Sequence, residues 1–296
     1  PPELLAALAC LGPRQLVGPR YGYWAWELPR VPSRWRKDAA LVDEVWAPSR
    51  YTAEALDGAA APVRIVPHPL ILEDFARVAP APRRAAFQGV SVFDFNSSLA
   101  RKNPQGAIAT WTRAFGDDPA CELTLKTQNG LAFPEALAAL RQAAPANVRV
   151  VDEVWPYAEV QSLIAGADVL VSLHRAEGFG LTPAEAMALG TPVLATAFSG
   201  VLDFMDEDCA LMVPYTLTPV VDPQGVYRGQ SWAEPDIDAA ARALVRLRGD
   251  IGLQRRLGEA GRVRVAERLS PQAWFTTLPP TLKTAALAAI RAAAKP

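Results

Sequence analysis

Residues 168–196, DVLVSLHRAEGFGLTPAEAMALGTPVLAT, limit the fold most tightly, because they read as strand, loop, helix and strand in one short span. Val169 to Leu173 is a continuous apolar run, the pattern of a strand buried on both faces of a parallel sheet. His174, Arg175 and Glu177 then bring polar groups to the strand's carboxyl end, beside the turn Gly178-Phe179-Gly180. Thr182, Pro183 and Glu185 read as the N-cap, first position and third position of a helix. Gly190 and Pro192 close that helix, and Val193-Leu194-Ala195 starts the next strand. Such a unit belongs to an open α/β sheet, whose ligands bind outside the carboxyl ends of the strands. A helix N-terminus at that place offers an anion free N–H groups and about half a positive charge.

Several of these residues also have a purely structural reading. Glu185 either closes a capping box on the Thr182 amide or faces a ligand, and local sequence leaves both open. Glu177 sits in a loop before a glycine with no cap or core role, which points to a ligand. Gly178 and Gly180 serve as turn residues or let a ligand approach the backbone.

HRAEGFGLTPAEAMALG resembles the E-x7-E signature of retaining glycosyltransferases of family 4, with Glu177 and Glu185 as its acids and GTPVLAT following. The resemblance implies a GT-B-type α/β fold: a doubly wound parallel-sheet nucleotide-sugar domain, preceded here by a truncated Rossmann-like acceptor half. It implies that Glu177 contacts the donor sugar and that Glu185 holds the nucleotide ribose. Backbone amides of Gly178, Phe179, Gly180, Leu181 and Thr182 are implied to meet the diphosphate. His174 and Arg175 lie close enough in sequence to be expected at the sugar or its phosphate.

The chain has just five lysines, and two of them fall where such a fold uses a cation. NSSLARKNP puts Arg101 and Lys102 in the loop after the first strand of the second half, and LTLKTQNG puts Lys126 at the end of the next. In a parallel sheet both loops open onto the crevice of Glu177. Preorganised cations and a helix N-terminus can neutralise a departing diphosphate without a metal. In the resembling family a basic pair in the first loop contacts the diphosphate. Lys102 matches its lysine, whereas FDFNSSLARKN lacks the early arginine and leaves Arg101 as the stand-in. Asp206-Glu207-Asp208 and Asp236-Ile237-Asp238 have the D-x-D form of metal-dependent transferases. The first sits in a turn and the second opens a helix, where acids favour the dipole, so neither metal nor other cofactor is expected.

The rest of the chain divides around this centre. Residues 1–69 read as the remnant of an N-terminal acceptor-side domain: a helix over 3–10, a strand at 16–17, a strand at 45–47, an N-cap at Ser49 with a helix to Leu56, and a strand in VRIVPHPL. The aromatics around Glu27 in YGYWAWELPRVPSRW read as core and loop packing, and His68 as a structural histidine. Residues 70–84 are proline-rich and read as a linker. Residues 85–270 form the donor domain, with a first strand over 85–95 and a long polar loop over 214–235. Residues 271–296 are helical, and the resemblance implies that this last segment crosses back to the N-terminal half. The chain starts Pro1-Pro2 and its first methionine is Met187, so it reads as a fragment.

A net charge of −1 gives no footprint for nucleic acid. Cys10, Cys121 and Cys209 are scattered, fitting a reducing cytoplasm. Only His68 and His174 exist, too few for a histidine-rich metal centre. No run approaches the roughly 20 apolar residues of a membrane span. The resemblance implies a retaining transfer from a nucleotide-sugar donor to a glycan, lipid-linked or other hydroxyl acceptor, the lipid-linked case entailing peripheral membrane contact, and the reaction is expected to be metal-independent. The rivals are a non-catalytic nucleotide-sugar binder, a glycoside hydrolase built on Glu177 and Glu185, and a dinucleotide oxidoreductase, for which no G-x-G-x-x-G follows a strand. Glu177→Ala is expected to abolish transfer with little loss of stability.

Overall fold

The computed structural model describes residue 10, residues 18–82 and residues 85–293. The helix expected over 3–10 (Cys10 apart) and the strand at 16–17 lie outside the described residues. The first unit is a parallel three-stranded sheet in chain order, β1 (Tyr21–Tyr23), β2 (Glu44–Ala47) and β3 (Val63–Ile65). Helices α1 (Ser33–Asp38) and α2 (Arg50–Ala55) pack with it. Ser49 caps α2 by accepting a hydrogen bond from the Thr52 amide. Trp24, Val45, Ala47, Ala55 and Leu56 form its core, with Trp26 and Trp35 against it.

The expected linker is more than a linker. Leu72–Ala76 forms a short helix, α3, and Leu70 and Phe75 are buried in the core of the second unit. The Leu70 amide donates to Leu269 O. Apolar residues among the prolines had a core to join, and that decided their fate.

The second unit is a six-stranded parallel sheet: β4 (Phe87–Val92), β5 (Cys121–Thr127), β6 (Val148–Asp152), β7 (Val169–Ser172), β8 (Val193–Thr196) and β9 (Leu211–Val213). Its order is β6-β5-β4-β7-β8-β9. Helices α4 (Leu99–Lys102), α5 (Pro104–Phe115), α6 (Pro134–Ala143), α7 (Tyr157–Gly166) and α8 (Leu181–Leu189) fill the connections. The chain runs outward from β4 to β6, then returns through α7 to lay β7 on the other side of β4. Where the direction reverses, the loops after β4 and β7 part and leave a crevice. β4 ends at Val92, short of the expected strand over 85–95. Asp94 accepts a hydrogen bond from the Asn96 amide and turns the chain into a single 3-10 turn, with Phe95 buried beneath it.

Residues 214–235 correct another expectation. Instead of a polar loop they hold an antiparallel hairpin, β10 (Tyr215–Pro219) and β11 (Ser231–Pro235). Tyr227, Trp232 and Ala233 join Leu28, Ala176 and Phe198 in a small core between the units, and burying them outweighs the polar letters around them. Helices α9 (Ile237–Gly249), α10 (Ile251–Leu269), α11 (Pro271–Thr277) and α12 (Pro280–Ala293) complete the described chain.

Candidate functional site

A cleft of about 490 Å³ opens over the carboxyl ends of β4, β5 and β7. Ser91, Val92, Lys126 and Ser172 come from the strands, and Glu177 to Pro183 with Glu185 from the loop and the start of α8. Ala25, Glu27 and His68 reach in from the first unit and its end.

Glu177 is 8% exposed, and both its carboxylate oxygens are engaged. Oε1 accepts from Lys102 Nζ at 2.5 Å, and Oε2 lies 3.1 Å from Arg101 Nη1. Its backbone is fixed as well: the amide donates to Ser199 Oγ, and the carbonyl accepts from the Gly200 amide. Burial by itself raises this carboxyl's pKa. The Lys102 and Arg101 cations outweigh that and hold it at about 2. Glu177 is therefore an anion throughout the neutral range and a poor proton acceptor.

Four sequence expectations change here. Arg101 is 4% exposed and lies behind Glu177, donating to Ala176 O, so it supports the carboxylate instead of reaching a ligand. Lys126 lines the cleft, but its ammonium donates to Thr127 O and Glu153 O and lies over the Trp155 ring. Burial lowers its pKa against the opposing pull of Glu153 and Asp152. His174 is 1% exposed and turned inward. Its Nε2 faces Phe198 O, a pure acceptor, so that nitrogen carries the proton and Nδ1 accepts from Ser172 Oγ. Arg175 forks onto Glu234 at 2.6 and 2.9 Å and donates to Ala100 O, tying the hairpin to α4 away from the cleft. Lys102 is the cation of this set left at the cleft with part of its side chain exposed.

The helix start differs too. Gly180 is the N-cap of α8, at φ 101°, and no side chain caps it. Thr182 is already helical, and no capping box forms. The Glu185 carboxylate instead accepts from the Tyr157 hydroxyl at 2.7 Å, and burial raises its pKa against that hydrogen bond. A left-handed glycine lets the helix begin early, and its first amides are left to the cleft that Gly180, Leu181 and Thr182 line.

The D-x-D acids are used structurally. Asp206 forks with Arg264, Asp236 caps α9 through the Ala239 amide, and Asp238 pairs with Arg113. Among the described residues four non-glycine positions have positive φ: Ser98, Asn103, Asn129 and Ser199. All four serve the cleft's supporting loops. Ser98 bonds Asp222 and receives the Arg101 amide, Asn103 donates to Leu173 O, Asn129 holds the Asp94 carboxylate, and Ser199 holds the Glu177 amide. Strain concentrated around one cleft is the usual mark of a site whose geometry is over-determined by its surroundings.

Sequence reasoning passed over Glu27, Tyr157, Trp155, Asp94 and His68 as cleft residues. Glu27 was an acid inside an aromatic run, a signal that was visible. His68 packs on Tyr23 and Phe179, with centroids 5.0 and 5.1 Å away, and burial lowers its pKa. Nothing local marks that place.

The sheet order, the cleft at its switch point and the second parallel unit define a GT-B-type α/β fold. Solved structures with this fold include sucrose-phosphate synthase from Thermosynechococcus elongatus, at 22% identity and a TM-score of 0.64, over 95% of this chain and 70% of that one. S. aureus TarM, in complex with Fondaparinux, alpha-GlcNAc-glycerol and UDP, aligns at 12% identity and a TM-score of 0.63. That match covers 87% of this chain and 49% of TarM, so the chain spans about half of TarM's length. Anabaena HepE in complex with UDP and glucose aligns at 12% identity and a TM-score of 0.64, over 84% of this chain and 67% of that one. Residues 101–228, which carry Lys102 through Tyr227, match the family Glycosyl transferases group 1. No protein with a curated description matches the chain.

Proposed function

We propose that this chain is part of a retaining, metal-independent glycosyltransferase of family 4 that moves a sugar from a nucleotide-sugar donor to an acceptor hydroxyl. The observation that carries the reading is the convergence of a buried, ionised Glu177, a cleft-facing Lys102 and an uncapped helix start at Gly180 on one crevice. Lys102 and the first amides of α8 neutralise the diphosphate as it leaves. Lys102 and Arg101 fix the Glu177 carboxylate in place, and from there it orients the sugar. Glu185, beside Tyr157, receives the ribose. TarM and HepE, both solved with UDP, lend support to a nucleotide ligand.

Residues 1–69 contribute the acceptor side, and a glycan or lipid-linked hydroxyl is the acceptor class. The place of action is the cytoplasm, with peripheral membrane contact when the acceptor is lipid-linked. Among the described residues no helix is long and apolar enough to cross a membrane. A glycoside hydrolase needs one carboxyl to act as an acid and the other as nucleophile or base. Glu177 suits neither part: its pKa near 2 leaves no proton to give as an acid, and Lys102 and Arg101 hold the oxygens that a nucleophile or base would need free.

The test is a thermal-shift screen and calorimetric titration against UDP, GDP, ADP and their sugars, followed by a transfer assay. One diphosphate and its sugar are expected to raise the unfolding temperature. Stabilisation by none of them overturns the reading, and donor binding without transfer to any hydroxyl acceptor favours a non-catalytic nucleotide-sugar binder.

A further inference from the structure

Glu27 lies outside residues 101–228, in an aromatic stretch of the first unit, yet it lines the same cleft as Glu177. One oxygen, Oε2, accepts from the Tyr227 hydroxyl at 2.8 Å. The other, Oε1, stands 4.0 Å from Arg101 Nη2, beyond hydrogen-bond distance, so it keeps its capacity to accept. The Glu27 side chain is 22% exposed, enough to meet a ligand in the cleft.

Arg101 ties this acid to the first one. Its buried guanidinium places Nη1 3.1 Å from Glu177 Oε2 and Nη2 4.0 Å from Glu27 Oε1. One rigid planar group thus stands between two carboxylates that come from different units. Tyr227 fixes the far side of Glu27: it is 5% exposed, packs edge-on against Trp26 at 5.5 Å, and burial keeps its hydroxyl protonated.

We infer that Glu27 is a further substrate-contacting residue, whose Oε1 accepts a hydrogen bond from a hydroxyl of the transferred sugar. This rests on the nucleotide-sugar reading above. Charge decides which part of the donor Glu27 meets. A carboxylate repels a diphosphate, which has Lys102 and the start of α8, whereas a sugar hydroxyl is a neutral donor that a carboxylate binds well. The shared guanidinium places Glu27 beside Glu177, the acid assigned to the sugar.

The experiment compares two affinities in Glu27→Gln and in the wild type. Calorimetry uses UDP, GDP and ADP against UDP-glucose, GDP-mannose and ADP-glucose, taking the pair that the wild type binds. The expected result is an affinity for the nucleotide sugar weakened about tenfold, a charge-assisted hydrogen bond giving way to at most a neutral one, with the affinity for the bare diphosphate unchanged. Equal weakening of both ligands means that Glu27 only props Tyr227 and Arg101, and overturns the assignment. So does no change in either. Should Glu27→Gln fail to fold, Glu27→Asp keeps the charge beside Arg101 and withdraws the oxygen from the cleft, and the same split is expected of it. A wild type that binds no diphosphate at all removes the underlying reading together with this one, which separates the two failures.

Discussion

Glu177 shows what burial does to a single acid. In water its carboxyl would titrate near 4.5; folded, with Lys102 and Arg101 against it, it titrates at about 2. The folded state thus holds its proton more weakly than the unfolded chain. The stability this gives is present in full above about pH 4.5 and drains away as pH falls toward about 2. Glu177→Gln is expected to flatten that acid limb and, by leaving the buried Arg101 without its near partner, to cost about 3–5 kcal/mol at neutral pH. Urea midpoints followed from pH 7 to pH 3 measure both, and an unaltered acid slope would count against the ion cluster. The expectation of little stability loss came from treating position 177 as an open loop residue, which it is not. Lys102→Ala is expected to weaken binding of the nucleoside diphosphate about tenfold by calorimetry. Unchanged affinity would remove the lysine from the phosphate site.

Elements succeed or fail on their ends. The strands and helices of the second unit lie close to where apolar runs and Pro or Gly punctuation place them: α6 spans Pro134–Ala143, and α9 and α10 meet at Asp250. The start of α8 was misread because Thr, Pro and Glu fit a capping pattern, while the deciding fact was a left-handed backbone at Gly180. Gly180→Ala tests it. A methyl there would force an L side chain to φ 101° and drive into the Val201 side chain. It is expected to destabilise the fold by about 1–3 kcal/mol and to weaken diphosphate binding by displacing the first amides of α8. Denaturation and calorimetry read the two effects separately, and wild-type values in both would show that the helix start tolerates a side chain.

At the scale of the whole molecule the first unit acts as a brace for the second. The Ser49 hydroxyl donates to Gly178 O, the Thr52 hydroxyl donates to Trp26 O at 2.9 Å and lies 3.2 Å from Gly178 O, the Arg50 amide donates to Asp203, and Arg30 and Gln230 exchange hydrogen bonds. The loop that carries Glu177 is therefore held from outside its own unit. Ser49→Ala combined with Thr52→Val leaves the Gly178 carbonyl without a side-chain donor, at a cost of about 1–3 kcal/mol, and removes the N-cap of α2, at about 1 kcal/mol more. It is expected to lower transfer rate more than diphosphate affinity, and equal losses in both would mean that the brace does not reach Glu177. What the amino-acid order settled unaided was the alternation of strands and helices, the crevice at the carboxyl ends, and the pairing of Lys102 and Glu177 with it. Periodicity, punctuation and loop position are local, and parallel topology projects them onto one edge. What the tertiary structure alone decided was the use of each polar group once there. Arg101, in α4, and Lys126, near the end of β5, are spent on a buried carboxylate and on main-chain carbonyls, His174 and Arg175 turn away, and Glu27 arrives from far along the chain. Burial and hydrogen-bond partners determine those fates, and both depend on neighbours that become adjacent only when the chain has folded.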